Sequence, residues 1–139
     1  MEQDQLTKCI IAKISKSLNF PEEIYNSLKN KAQYIIAIIP SDLRKIALFP
    51  TDAQMGLYCR INLKRKYKLD DSFFITLREK LNNFTLKTLY TTGICFSKDE
   101  CFWEGVFEYN NDFPLEEFKK TLSSIDSVEY VFTQILKSE

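Results

Sequence analysis

The chain has 139 residues, 45% of them hydrophobic and 14% aromatic, and its 19 basic side chains balance 19 acidic ones. That length suits one ordinary domain, and the apolar content excludes a disordered chain. The zero net charge lacks the basic excess with which nucleic-acid binders neutralise phosphates.

Histidine is absent, and the four cysteines are Cys9, Cys59, Cys95 and Cys101. No CxxC pair occurs and mixed Cys/His zinc sites cannot form, so the sequence predicts neither metal nor cofactor. The opening Met1-Glu2-Gln3-Asp4-Gln5 is acidic and polar, unlike a secretory leader. No apolar run approaches the roughly 20 residues that span a bilayer. These features predict a cytoplasmic protein with no membrane segment, its cysteines reduced and packed as small hydrophobes.

Residues 6–18 place Leu6, Cys9, Ile10, Ala12, Ile14 and Leu18 near helical spacing, with Lys8, Lys13 and Lys16 for the other face. Asn19-Phe20-Pro21 breaks the chain. Pro21 ahead of Glu22-Glu23 opens a second helix, because proline lacks a donor that would be unpaired there and acids suit the helix dipole. Residues 1–31 are thus predicted to form a helical hairpin, and residues 32–139 an α+β domain packed with it in one compact body.

At Gln33 the character changes. Residues 34–39 (Tyr-Ile-Ile-Ala-Ile-Ile) are an unbroken β-prone run stopped by Pro40. Ser41-Asp42-Leu43-Arg44 turns the chain into Lys45-Ile46-Ala47-Leu48-Phe49, stopped by Pro50, which predicts a β-hairpin. Apolarity at every position requires cover on both faces. The N-terminal helices, a sheet or a second copy must supply that cover, and a homodimer is expected.

Residues 57–64 alternate almost strictly, as a half-buried strand does. Asp70 or Asp71 then caps a helix with a stripe of Phe74, Leu77, Leu81 and Phe84, and Phe73 beside it. Residues 86–96 read as a Thr-rich strand, turned by Ser97-Lys98-Asp99-Glu100 into a strand over 101–109. Residues 110–114 open a helix carrying Leu115, Phe118, Leu122 and Ile125, and 128–136 are extended again. This order folds as a ferredoxin-like split βαβ (βαββαβ) sheet in spatial order four-one-three-two, with both helices on one face.

By alternation Trp103, Gly105, Phe107 and Tyr109 belong under the helices. Glu104 and Glu108 then share an outward face with Tyr58, Arg60, Asn62 and Lys64, a self-compensating surface on which nucleic acid is not expected. Asp70-Asp71 could serve as paired carboxylates, but a helix N-cap is the plainer reading. Cys95 and Cys101 flank a turn. A five-residue loop sets them opposite each other and a four-residue loop on opposite faces, and two packed thiols suit a cytosolic protein better than a bond. No catalytic residue is assigned and no enzyme is expected.

The length and order of residues 57–137, with the lead-in Lys45-Ile46-Ala47-Leu48-Phe49-Pro50-Thr51-Asp52-Ala53, resemble the ACT domain, a small regulatory module. The resemblance implies a ferredoxin-like fold, a non-catalytic regulatory role, a small-molecule effector and pairing as a homodimer. Its ligand loop falls on residues 66–73, which implies Tyr67, Asp70, Asp71 and Ser72 as ligand-binding residues. Amino-acid-binding members carry a glycine there, for close backbone approach. Here Asp71 or Ser72 takes its place, and two carboxylates would repel an amino acid's own. Free amino acids are therefore not expected to bind. The alternatives are an RNA-binding protein of similar topology and a protein-interaction adaptor without a small ligand.

Overall fold

The apolar run at 34–39 becomes the middle strand of a sheet. The structure, a computed structural model, describes residues 7–14, 21–40 and 45–138. Its elements are β1 (Thr7–Lys13), α1 (Glu22–Lys31), β2 (Tyr34–Pro40), β3 (Ala47–Thr51), β4 (Met55–Leu63), α2 (Asp71–Leu81), β5 (Thr88–Ser97), β6 (Glu100–Tyr109), α3 (Leu115–Ser123) and β7 (Val128–Lys137). The fold is α+β, with antiparallel sheets of three and four strands. The chain divides into two compact units, Leu57–Gln134 and, from the two ends, Met1–Gly56 with Ile135–Glu139.

In the first unit the strand order is β1-β2-β3. The hairpin expected around Pro40 is present, with Tyr34 opposite Thr51 and Ile36 opposite Phe49; its turn, residues 41–44, lies outside the described residues. The helix expected over 6–18 is corrected: residues 7–13 are a strand, paired with Cys9 opposite Ile38 and Ile11 opposite Ile36. Leu6, Lys16 and Leu18 of that expected helix lie outside the described residues. Over seven residues the spacing satisfies both periods, since Thr7, Cys9 and Ile11 are buried while Lys8 and Ile10 are exposed. Pairing decides the outcome, because β1 supplies the hydrogen bonds that one edge of β2 needs. The run 34–39 is therefore no open edge, and the pairing argument drawn from it falls. Only the second helix of the expected hairpin forms. α1 keeps Glu22 and Glu23 in its first turn and Lys29 and Lys31 in its last, buries no residue, and packs beside β3.

In the second unit the order is β5-β6-β4-β7. Phe107 of β6 meets Phe118 of α3 edge-on, ring centroids 6.2 Å apart, so the face carrying Trp103, Phe107 and Tyr109 is the helix-covered one. Phe118 and Leu122 are fully buried there and contribute about 2 kcal/mol each. α2 packs beside α3. Its inward residues are Phe73 and Leu77; Leu77 belongs to the expected stripe, while Phe74 is 41% exposed and Phe73 takes its place. Gly105 leaves room for the flanking rings: a Cβ there would come within 2.8 Å of Phe107.

Two further expectations are corrected in this unit. The face expected to lie outward is buried at Tyr58, Arg60 and Glu104, each 1% exposed. The Tyr58 hydroxyl donates to Glu104 Oε2, and the Arg60 guanidinium stacks on Phe132, 5.1 Å from its centroid. Cys95 and Cys101 are joined by a disulfide rather than reduced. A bulge between Cys95 and Ser97 adds one residue to the turn, which brings the two cysteines opposite each other on one face, Cα atoms 4.1 Å apart. Cys9 and Cys59 are not in a disulfide and are buried.

Candidate ligand cavity

Strand β4 ends at Leu63 and the chain turns at once. Lys66 takes a left-handed conformation (φ 73°), the Tyr67 N–H donates to the Lys64 carbonyl at 3.1 Å, and Asp70 follows as the N-cap of α2. Asp70 Oδ1 accepts from the Phe73 N–H at 2.9 Å, satisfying one of the orphan donors of the first helical turn. The capping role expected of Asp70 or Asp71 thus belongs to Asp70.

A second segment arrives from far along the chain. The residues between α3 and β7 turn tightly, with the Val128 N–H donating to the Ile125 carbonyl at 2.9 Å. Because β7 lies beside β4, this turn reaches the end of β4, and the Lys64 N–H donates to the Ser127 carbonyl at 2.8 Å.

Between the loop, the start of α2 and this turn lies a cavity of about 310 Å³. The loop contributes Tyr67, Lys68 and Asp70, the helix Ser72 and Thr76, and the turn Asp126 and Ser127. Phe73 and Ile125 supply apolar wall. Of the residues expected to bind a ligand, Tyr67, Asp70 and Ser72 line the cavity together and Asp71 does not. Sequence reasoning missed Thr76, Asp126 and Ser127. The last two became legible only with the strand order, which puts the start of the fourth strand of this unit beside the end of its first.

The lining can exchange hydrogen bonds in both directions. Tyr67, Ser72, Thr76 and Ser127 bring hydroxyls that donate and accept, Asp70 and Asp126 accept, and Lys68 donates. Elsewhere, burial pushes the Cys59 thiol up to about 12, against smaller opposing effects of Lys119 and Arg60, so Cys59 stays protonated. The aromatics of β4 and β6 are enclosed, with Tyr58, Phe102, Trp103 and Phe107 each no more than 5% exposed. Among the described residues no group of three or more His, Cys, Asp or Glu side chains could hold a metal ion. No helix among them is long and apolar enough to cross a membrane. A search against protein-family models and a search of curated proteins returned no match for this chain.

Proposed function

We propose that this protein is a non-catalytic, ACT-like regulatory domain of ferredoxin-like topology that binds a small effector in the cavity at the end of β4. The observation that carries the reading is the convergence of Tyr67, Asp70 and Ser72 with Ser127 on one cavity. The strand order β5-β6-β4-β7 supports the topology, since it corresponds to four-one-three-two read from the opposite edge. Self-association belongs to the same reading. Its surface is β5, a ten-residue edge strand that exposes most of its length and leaves Phe96 58% exposed. A cytoplasmic location is also part of the proposal, and there the Cys95–Cys101 bond would be subject to reduction by the thiol pool.

A thermal-shift screen of small molecules, followed by light scattering, tests the reading. Expected are a compound that raises the melting temperature of the native chain but not of Thr76→Val, and a dimer at high protein concentration. A stabilising compound indifferent to Thr76→Val would place the site elsewhere. Monomer alone would remove the self-association.

The aromatic enclosure weighs against base stacking. Trp103 and Phe107 lie on the helix-covered face, and Tyr58 and Glu104 are engaged with each other on the opposite one. RNA is accordingly the weaker reading.

A further inference from the structure

The cavity lining fits some ligand chemistries far better than others. Its formal charges nearly cancel. Asp70 and Asp126 bring two negative charges, Lys68 brings one positive charge, and the N-terminus of α2 adds roughly half a positive charge. A strong anion meets the two carboxylates, and a strong cation meets Lys68 and the helix terminus. Neither sign is selected.

What the lining offers instead is hydroxyl chemistry. Four hydroxyls, two carboxylates and one ammonium surround the space, and each hydroxyl can both give and take a hydrogen bond. Ser127 is the most telling. It is 9% exposed, and its hydroxyl forms no hydrogen bond to another described residue. Among the described residues no fully buried side-chain oxygen or nitrogen lacks a partner, so that hydroxyl opens into the cavity rather than into packed apolar surroundings. A solvent-accessible hydroxyl without a protein partner can bond to whatever enters. Phe73 and Ile125 give an apolar wall for carbon-bound hydrogens, and Tyr67, 46% exposed, completes the lining. At about 310 Å³ the space lies at the small end of the roughly 300–1,000 Å³ typical of ligand pockets.

We propose that the cavity binds a small uncharged polyol, a cyclic compound of monosaccharide size, with Asp70 and Asp126 accepting from its hydroxyls, Ser127 and Ser72 bonding to its ring substituents, and its carbon face against Phe73. The proposal rests on the cavity being a ligand site and adds the class of ligand.

Calorimetry with a panel of neutral hexoses and pentoses tests it, beside ethanolamine, putrescine and the free amino acids as charged probes. Expected is binding of at least one neutral sugar and of none of the charged probes. Ser127→Ala should weaken it by about tenfold, the effect of one lost hydrogen bond. Asp126→Asn, an exposed position where the fold is not at stake, should weaken it by a similar factor. Asp71→Asn, outside the cavity, should leave it unchanged. Sugar binding that survives both Ser127→Ala and Asp126→Asn would overturn the site. Binding of an amine or amino acid, lost in Asp126→Asn while sugars fail, would overturn the polyol and keep the cavity as a ligand site. Failure of every small molecule would overturn both.

Discussion

The Tyr58 hydroxyl donates to Glu104 Oε2 between neighbouring strands β4 and β6, and both side chains are 1% exposed. A buried carboxyl that loses a donor keeps its desolvation cost, so Tyr58→Phe should destabilise by about 1–3 kcal/mol. Changing both ends, Tyr58→Phe with Glu104→Gln, should cost less than the two single changes summed, because the bond between them can be lost only once. Urea denaturation of the four proteins measures this as a coupling energy. Additivity within error would mean that the bond contributes nothing of its own.

The Cys95–Cys101 bond closes a short loop of the β5–β6 hairpin, with a sequence separation of 6. For a loop of this size the chain-entropy relation gives about 2 kcal/mol of stabilisation. Reduction should therefore lower the unfolding free energy by about that amount and leave the sheet formed. Alkylation under denaturing, non-reducing conditions should tag two cysteines per chain, Cys9 and Cys59. Four tagged cysteines in oxidised protein would rule the bond out.

Cys59 gives a signature at alkaline pH. Its thiol is held protonated to about 12 in the folded chain against an ordinary 9.0, because burial disfavours the thiolate. Between those values the unfolded chain releases a proton that the folded one keeps. Stability should therefore fall as pH rises above about 9, by up to about 1.4 kcal/mol per pH unit from this group, and be unaffected by it at lower pH. Comparing Cys59→Ala with the parent from pH 8 to 11 isolates the effect, since other groups titrate alike in both. Parallel curves would contradict the burial of the thiol.

Ile36 is fully buried in the central strand β2, opposite Ile11 on one side and Phe49 on the other. Ile36→Asp combines a lost apolar side chain with a buried charge and should cost about 4 kcal/mol or more. The same change at Ile24, 47% exposed on α1, should stay within about 0.5 kcal/mol. Circular dichroism during urea unfolding separates the two. A mild effect at Ile36 would mean that β2 is not a core strand.

Legibility in the sequence followed the range of the interactions involved. After Met55 the element order was readable, because alternation at 57–64 and the spacing of Phe118 and Leu122 are local signals. The Asp70 cap was readable for the same reason. Strand β1 was not, since seven residues cannot separate two periods and its partner β2 lies more than twenty residues on. The buried face of Tyr58 and Glu104 was also misjudged. Charge complementarity there suggested solvent, whereas Phe102, Val106 and Phe132 beside them were the sign of a covered surface. Half of the cavity was visible in residues 66–73, and the half made by Asp126 and Ser127 depends on β7 lying next to β4.

The most direct measurement is amide-resolved NMR of the native chain titrated with a neutral monosaccharide mixture. Expected are saturable shifts confined to residues 64–76 and 124–128, weakened in Ser127→Ala, with the β5–β6 turn unmoved. Shifts scattered over other surfaces, or none at millimolar sugar and millimolar charged probe alike, would contradict a ligand site at the end of β4.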